Sequence, residues 1–321
     1  MYLTLTLNPS IDYYVRLPKG RRLETGTEDG PATNRSIGEY YESGGKGINI
    51  AKVLRRLSDA DGFTQNHIMA SGISCAFTGN EILRNLELER IDPVFIEVPG
   101  HTRINLKITD GLGIETEING AGPSVAPGDI SRLISIINNS EFNTLFISGS
   151  LPSGLSKDTY AVIAKAVIDK NPNVRIVVDC EGDALLHCLA VKPFLIKPNA
   201  AELAALTELD ITVSSDTGLI KDAARILQNK GAQNVLISCG PYGACLLCSN
   251  GDFFKVPGIK GHVISTIGAG DTMLASFIYS LDKNKDMKKA LIFSNICAAC
   301  SAFSSGLPSQ EDLHKCLKEL S

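Results

Sequence analysis

Patterns typical of buried strands alternate with patterns typical of amphipathic helices along most of this chain of 321 residues. Apolar runs that predict strands lie at residues 3–7, 67–72, 144–148, 174–179, 194–196 and 234–238. Apolar residues at helical spacing predict helices at residues 47–57, 81–90, 157–168, 221–230, 269–281 and 288–301. Because parallel strands need crossover helices, this order predicts an α/β fold with a mainly parallel β-sheet covered by helices on both faces.

Two segments, at about residues 12–43 and 94–119, break this alternation. Residues 103–108 alternate polar and apolar strictly, which predicts a half-exposed strand with Arg103, Asn105 and Lys107 on one face. The two segments can pair into a small β-sheet that stands beside the main sheet as a lid. The sequence shows no internal repeat and no evident linker. Residues 1–321 are therefore predicted to form one domain with this lid inserted in it.

Composition narrows the classes of function. A net charge of −4 gives no general attraction for nucleic acid or an anionic membrane. No apolar stretch is long enough to span a bilayer, and the first residues lack the basic region of a signal peptide. Nine scattered cysteines, an odd number, are consistent with reduced thiols. The sequence thus predicts a cytoplasmic protein without nucleic-acid or membrane partners.

A glycine-rich turn near the C-terminus carries the strongest chemical signal. Gly268, Ala269, Gly270 and Asp271 follow a strand-like run and open an apolar helix. The glycines let backbone N–H groups converge at a helix N-terminus, where a phosphate can bind. A carboxylate there repels phosphate unless it has a task, such as accepting a proton from an attacking hydroxyl. The alternative is a helix whose first turn is merely stabilised by an acidic residue. A dinucleotide fingerprint is excluded because Met273 stands where its third glycine belongs.

A second glycine-rich turn, with Gly44, Gly45 and Lys46, precedes the first long helix, and Asn49 lies in that helix. A glycine follows Lys46 where a Walker loop needs Ser or Thr. Asn49 offers a donor and an acceptor to sugar hydroxyls. Asp12 comes just after the first strand, where ligands of open α/β sheets bind, and a carboxylate there suits adjacent hydroxyls. The alternative for the glycine-rich turn is a flexible turn with a solvated Lys46, and the alternative for Asp12 is a surface aspartate.

Three further strand ends carry polar groups. Ser150 follows the strand predicted at 144–148, and Lys197, which can meet a phosphate, follows that at 194–196. Asn199 and Glu202, three apart, suit water-mediated binding of Mg²⁺. A helix N-cap with a capping box explains the same pair equally well. The turn after residue 238 can border a nucleotide or be a simple hairpin-like turn; its residues are Ser238, Gly240 and Gly243.

In this order, the motifs resemble those of the ribokinase-like, PfkB-type sugar kinases over nearly the full length of the chain. The matching runs are 6–12, 44–49, 148–152, 197–199 with Glu202, and 268–271. Residues 33–35, 102–107 and 115–120 most resemble the phosphosugar branch, to which 1-phosphofructokinases and tagatose-6-phosphate kinases belong. The resemblance implies a ribokinase-like fold with a small β-sheet lid.

The resemblance also implies roles. Asp271 would take the proton of a sugar hydroxyl, while the amides of Gly268, Ala269 and Gly270 would hold the transferring phosphoryl group. The sugar would contact Asp12, Gly44, Gly45, Asn49, Asn105 and Ser150, and its phosphate would contact Lys46, Arg103 and Arg35. Lys197 would touch the ATP phosphates, with Ser238, Gly240, Gly243 and Asn295 bordering the nucleotide and Asn199 and Glu202 supporting Mg²⁺.

The implied reaction is ATP- and Mg²⁺-dependent phosphorylation of a ketohexose monophosphate. Conversion of fructose 1-phosphate to fructose 1,6-bisphosphate is the first expectation, with tagatose 6-phosphate or fructose 6-phosphate as alternative substrates. A catalytically silent sugar-phosphate sensor is a more distant alternative, and retention of Asp271 argues against it. Relatives often pair their lids, so the resemblance implies a homodimer.

Overall fold

A computed structural model describes residues 1–63 and 65–318, so residues 64 and 319–321 of the predicted domain lie outside the described residues. The strands are β1 Tyr2–Thr6, β2 Ser10–Arg16, β3 Gly38–Gly44, β4 Ile68–Ser74, β5 Asp92–Glu97, β6 Arg103–Thr109, β7 Glu115–Asn119, β8 Thr144–Ser148, β9 Arg175–Asp179, β10 Leu195–Ile196, β11 Asn234–Ser238, β12 Ala244–Leu247 and β13 Phe253–Val256. The helices are α1 Lys46–Ala60, α2 Ala76–Leu88, α3 Pro127–Asn138, α4 Thr159–Lys170, α5 Gly182–Cys188, α6 Ala200–Thr207, α7 Thr217–Asn229, α8 Ala269–Asn284, α9 Met287–Ala302 and α10 Gln310–Lys318.

Most of the strands belong to one large sheet. In the described part of the chain it has nine strands, in the order β13-β12-β11-β10-β9-β8-β1-β4-β5. Every neighbouring pair from β11 to β5 is parallel, and only β12 and β13 pair antiparallel at one end. The prediction of a mainly parallel α/β sheet is confirmed.

Both faces of the large sheet are buried, because alternate side chains of each strand enter two separate cores. Leu3 and Leu5 of β1 pack into one core, whereas Tyr2 packs into the other. The first core contains the inward faces of α3 to α7, and the second contains those of α1, α2, α8, α9 and α10. Helices therefore cover both faces, as the strand–helix alternation predicts. Among the described residues, no helix is both long and apolar enough to cross a membrane.

A second, smaller sheet has four strands in the order β3-β2-β6-β7, and we call it the small sheet. The β2–β3 and β6–β7 pairs are antiparallel, and the β2–β6 pair is parallel. Only residues 7–9 separate β1 from β2, so the small sheet starts at the carboxyl edge of the large one. This edge is where ligands of open α/β sheets bind.

The start of the predicted lid segment 94–119 is wrong. Residues 92–97 form β5, which pairs with β4 at the edge of the large sheet. Pro93 and the acidic residues at both ends of β5 hide its strand character in the sequence. A proline is compatible with this strand because β5 lies at an edge, where one row of N–H groups has no strand to pair with. At the other lid segment, β2 begins at Ser10, two residues before the predicted start.

The polar face predicted for β6 exists, but it points inward. Asn105 is buried, whereas Ile104 is 44% exposed. The inward face of the small sheet covers a polar cavity, described below, instead of an apolar core. The hydrophobic pattern of this sheet is therefore inverted with respect to an ordinary two-layer fold.

Candidate functional site

Two lysines that the sequence assigned to phosphate groups meet at one buried carboxylate. Asp179, the last residue of β9, is 2% exposed. Its Oδ1 lies 3.2 Å from Nζ of Lys46, the first residue of α1, and its Oδ2 lies 3.2 Å from Nζ of Lys197, just after β10. Glu181 adds a second contact to Lys46, at 3.5 Å. These ion pairs fix both ammonium groups at the carboxyl edge of the large sheet.

The sequence analysis missed Asp179. Burial alone would raise the pKa of its carboxyl group, but the attraction of Lys197 and Lys46 outweighs burial, so the pKa lies below its ordinary value. For Lys46, burial opposes the charge, yet Asp179 and Asp271 raise its pKa. The signal available in the sequence was an acidic residue ending an apolar strand at the ligand-binding edge.

The turn at residues 268–271 forms the N-terminus of α8, as predicted, but the strand-like run before it, residues 264–267, is not a strand. Gly268 is the N-cap residue and has φ 77°, a conformation that side chains rarely adopt. Ala269 N donates to Thr266 O at 3.3 Å. A Cβ atom on Gly270 would lie 3.1 Å from Lys197 Nζ, so the lysine ends directly against this turn. The turn thus combines first-turn amides, the positive end of a helix dipole and an ammonium group, which together favour a bound anion; we call this turn the anion site of α8.

Asp271 is buried in the first turn of α8, and its Oδ2 accepts a hydrogen bond of 2.8 Å from Asn49 Nδ2 of α1. Burial, together with the negative charge of Asp179, raises its pKa to about 6. The Asn49 bond and the charges of Lys197 and Lys46 act in the opposite direction. A carboxylate with this pKa is ionised at neutral pH and more basic than an exposed one, as a general base requires.

Asp12 lies on β2 and is held from three sides. Its Oδ1 accepts from Ser10 Oγ and from Asn105 Nδ2, both at 2.8 Å, and its Oδ2 lies 3.4 Å from Lys107 Nζ. A Cβ atom on Gly44 would lie 2.7 Å from the same carboxyl group. The glycine therefore leaves room for the Asp12 carboxylate beside the start of α1.

A cavity of about 240 Å³ lies between the inward face of the small sheet and the turn before α8. It brings together four of the predicted site residues: Asp12, Gly44, Asn49 and Gly268. Residues 305–307 close it on the far side. The cavity therefore connects the groups expected at the sugar with the anion site of α8.

The remaining predicted sugar and phosphate residues are arranged differently. Gly45 is the N-cap residue of α1 and has φ 115°. Arg103 is half-buried at the start of β6, and its Nε donates to Asn8 O at 3.2 Å. Ser150 is exposed just after β8, and Arg35 is exposed between β2 and β3. None of these four residues is among the described residues that line the cavity.

The residues predicted for the nucleotide and metal lie around the ends of β10 and β11. Asn199 and Glu202 form a capping box at α6: Glu202 N donates to Asn199 Oδ1 and Asn199 N donates to Glu202 Oε2, both at 2.8 Å. Asn199 also forms a parallel bridge with Ser238. Of the two explanations that the sequence allows for this pair, the structure shows the hydrogen bonds of a helix N-cap.

The glycine turn after Ser238 packs against the segment that follows β13. A Cβ atom on Gly243 would lie 2.0 Å from Val256 O, so only glycine fits there. Gly240, at φ 52°, opens the turn. Asn295 of α9 is buried and its Nδ2 donates to Pro257 O at 2.9 Å, which fixes the same segment from the other side.

Comparison with known proteins agrees with this geometry. The model of the pfkB family carbohydrate kinases matches residues 7–313. The 1-phosphofructokinase of Bacillus subtilis is 35% identical over 324 residues, covering 100% of this chain and 98% of that protein. The D-tagatose-1-phosphate kinase of Bacillus licheniformis is 33% identical over 308 residues, covering 96% and 94%. The structure of phosphofructokinase-2 from Escherichia coli with fructose-6-phosphate is 26% identical, with a TM-score of 0.84 over 99% of this chain and 98% of that chain. The chain belongs to the pfkB family of carbohydrate kinases.

Proposed function

We propose that this kinase transfers the γ-phosphoryl group of ATP to a hydroxyl group of a ketohexose monophosphate, and that fructose 1-phosphate is the acceptor. The observation that carries the proposal is Asp271, a buried carboxylate with a pKa of about 6 in the first turn of α8. The names of the two similar proteins, which act on ketohexose 1-phosphates, support this class of acceptor.

In the proposed reaction, Asp271 removes the proton of the acceptor hydroxyl as its oxygen attacks the γ-phosphorus. The bond between that phosphorus and the bridging oxygen breaks, and ADP leaves with the electron pair. We assign the amides of Gly268, Ala269 and Gly270 to the charge that develops on the phosphoryl oxygens, and the Ala269 amide must give up its long bond to Thr266 O to reach that charge. Lys197, which ends against Gly270, adds a positive charge at the same place.

The sugar is proposed to bind in the cavity under the small sheet. Two hydrogen bonds and the ion pair with Lys107 hold the Asp12 carboxylate in one orientation, so that it can accept from adjacent sugar hydroxyls. Asn49 lines the cavity and its Nδ2 donates to Asp271, so the proposed base lies next to the proposed sugar site. The Asp179 ion pairs hold Lys46 next to this region.

The residues near the nucleotide fit a hydrated Mg²⁺ better than a metal held by protein alone. Among the described residues, no three His, Cys, Asp or Glu side chains form a metal cluster. Mg²⁺ usually keeps several waters and is shared with substrate phosphates. Glu202 Oε2 is engaged in the capping box, which leaves Oε1 for water ligands, with Asn199 beside it. Mg²⁺ would neutralise phosphate charge.

We also propose a cytoplasmic location, as the cysteine pattern predicts.

The substrate is tested by ADP release in a coupled assay. Fructose 1-phosphate, tagatose 1-phosphate, fructose 6-phosphate and tagatose 6-phosphate are compared at equal ATP and Mg²⁺. We expect fructose 1-phosphate to give the highest kcat/KM, at least about tenfold above the 6-phosphates, because a misplaced phosphate loses charge-assisted hydrogen bonds. Preference for a 6-phosphate would contradict the proposed acceptor, and no ADP from any sugar would favour the sensor.

The pH dependence of kcat/KM should follow the ionisation of Asp271. The base must be deprotonated, so kcat/KM should fall tenfold per unit as pH falls below about 6. The phosphate of the sugar also titrates near pH 6, so a control is needed. Asn49→Ala removes a hydrogen bond that lowers the pKa of Asp271. The acidic limb should therefore move to higher pH in this variant, and a limb that stays in place belongs to the substrate.

Arg103→Ala is expected to raise KM for the sugar phosphate by roughly 10- to 100-fold, because a charge-assisted hydrogen bond contributes about 1.5–3 kcal/mol. Within the described part of the chain, Arg103 donates a hydrogen bond only through Nε, to Asn8 O, so its terminal nitrogens can face a phosphate. KM for ATP should change less than about twofold. Arg84→Ala, which removes a surface pair with Glu81, is the matched control. An equal rise of both KM values would remove Arg103 from the phosphate site.

We also propose that two copies of the chain pair through the outward face of the small sheet. The register places Tyr13, Leu106 and Ile118 in one row across β2, β6 and β7, with Tyr41 of β3 at its end. Ile118 is 58% exposed and Tyr41 is 45% exposed. A contiguous apolar face of this kind marks an interaction surface.

The pairing is tested with Ile118→Lys in sedimentation experiments. The variant should sediment as a monomer where the unmodified chain sediments as a dimer, because a charge in an apolar interface is strongly unfavourable. Val162→Lys changes a valine on α4 that is 49% exposed, close to the 58% of Ile118, and should leave the assembly intact. A monomeric unmodified protein, or a dimeric Ile118→Lys protein, would contradict the proposed interface.

A further inference from the structure

The segment at residues 305–308 forms the wall behind the anion site of α8, and the proposed mechanism does not use it. Leu307 lines the cavity under the small sheet together with Gly268. A Cβ atom on Gly268 would lie 2.6 Å from Leu307 Cδ2, so the leucine side chain packs directly against the turn. The position of Leu307 therefore limits where the backbone of Gly268 can lie.

One arginine fastens this segment to α1. Nη1 of Arg56 donates to Leu307 O at 3.3 Å and to Pro308 O at 3.1 Å. Its Nη2 lies 3.4 Å from Glu89 Oε2, at the C-terminal end of α2. The guanidinium group is half-buried, with 28% of the side chain exposed. A planar fork can satisfy two carbonyls and a carboxylate at once, which a single ammonium group cannot do with the same geometry.

The helix that carries Arg56 also carries the partner of the base. Asn49, in the first turn of α1, bonds Asp271, and Arg56 lies seven residues further along the same helix. Seven residues are close to two helical turns, so both side chains leave the same side of α1. The turn at 268–271 is thus held by α1 from two sides: at its acid through Asn49 and at its glycine through Arg56 and Leu307.

We infer that Arg56 is a positioning residue for the phosphoryl transfer, acting through Leu307 on the amides of residues 268–270. The inference rests on the proposed function for its kinetic consequence only. Preorganised amides lower the barrier only while they point at the charge that forms during the reaction. A displacement of about 1 Å can lower the rate by roughly a hundredfold. Arg56 does not face the cavity, so substrate affinity should change little.

The first test does not depend on kinase activity. Hydrogen exchange by mass spectrometry is followed in Arg56→Met for peptides that cover residues 265–270 and 304–309. Both peptides should exchange faster than in the unmodified protein, while peptides from β8 and β9 keep their protection. Arg132→Met is the matched control, because Arg132 also bonds one carboxylate and one carbonyl, those of Asp129 and Glu97. Unchanged exchange at 265–270 in Arg56→Met would overturn the inference.

The second test is kinetic and separates positioning from general stability. Arg56→Met should lower kcat by roughly 10- to 100-fold with both KM values within about twofold, because the amides act in the transition state. Arg56→Lys keeps the charge without the fork and should recover only part of the loss. Activity of Arg56→Met within twofold of the unmodified enzyme would overturn the inference.

A double-variant cycle with Leu307→Ala tests the path. If Arg56 acts through Leu307, the double variant should lose no more activity than the more damaged single variant. If the two losses multiply, the residues act independently and the inference is wrong. Failure of the unmodified protein to phosphorylate any sugar would count against the proposed function alone, since the exchange experiment still decides the role of Arg56.

Discussion

Asp271→Asn is expected to lower kcat by roughly three to four powers of ten and, at the same time, to stabilise the folded protein. The amide cannot accept the hydroxyl proton, yet it fills the same space and can still accept the bond from Asn49. Binding of ATP and of the sugar should therefore persist, measured by calorimetry, while turnover is lost.

The gain in stability follows from the raised pKa. Folding moves the pKa of Asp271 from its ordinary value of 3.8 to about 6, which means that the ionised form is disfavoured in the native state. Two units correspond to roughly 2–3 kcal/mol of unfolding free energy. The penalty is nearly absent below pH 4, grows between pH 4 and about 6, and is constant above that. Urea unfolding of Asp271→Asn should match the unmodified protein at pH 4 and exceed it at pH 8.

Asp210→Asn is the control, because it removes the same charge from an exposed loop position. Neither turnover nor stability should change in that variant. If Asp271→Asn turned over nearly as fast as the unmodified enzyme, Asp271 would not be the general base. A loss of stability at pH 8 would show instead that the carboxylate is held by compensating charges.

Asp179→Asn should be the most destabilising of the conservative changes in the site. Removing one partner of a buried ion pair costs about 3–5 kcal/mol, because the other charge stays buried without compensation. Here two lysines lose their shared partner, each at 3.2 Å. We expect a fall of roughly 3 kcal/mol in the free energy of urea unfolding at pH 7 and a parallel loss of ATP affinity.

The dependence on pH has the opposite sign from that of Asp271. Folding lowers the pKa of Asp179, so its ion pairs stabilise the protein above pH 4, and this contribution is lost as pH falls through the native pKa. The difference in the free energy of unfolding between Asp179→Asn and the unmodified protein should therefore be constant from pH 6 to 8 and should disappear in acid. Asp169→Asn, which removes a surface pair with Lys165, should cost less than about 0.5 kcal/mol.

A second substitution makes the prediction about Asp179 sharper. Lys197→Met in the Asp179→Asn background removes the more buried of the two lysine charges that lose Asp179 and should restore part of the lost stability. Stability that falls further in the double variant would contradict the proposal that charge compensation at Asp179 is the source of the effect.

The large sheet was predictable because buried parallel strands are short apolar runs, and the strands at 144–148 and 234–238 have the predicted bounds. The strand β5 was not, since an edge strand tolerates Pro93 and needs only one apolar face. Chemistry that depends on two distant segments was harder still. Asp179 could not be recognised from its own segment, because its role depends on ion pairs with Lys46, 133 residues away, and with Lys197.

The glycine turns were predictable for a different reason: a backbone conformation with positive φ selects glycine at that position of the sequence. Gly268 and Gly45 have positive φ, and no other residue type meets that demand readily. The capping box at Asn199 and Glu202 shows the limit of this logic. One local pattern served two explanations, and only the three-dimensional arrangement shows which hydrogen bonds the side chains make.

The small sheet has two faces with different occupants, and this has a thermodynamic consequence. Its inner side holds Asp12, Asn105 and Lys107, while its outer side presents Leu106 and Ile118. Under the proposed function, neighbouring residues of one strand would contact the carbohydrate and a second subunit. Any change of strand twist that favours one occupant alters the other's surroundings, so acceptor affinity and self-association should be reciprocally linked. If the copies pair as proposed and pairing favours the acceptor-bound form, diluting the protein until they separate should weaken acceptor affinity by a factor whose square is the factor by which saturating acceptor tightens pairing, because each dimer binds two acceptors.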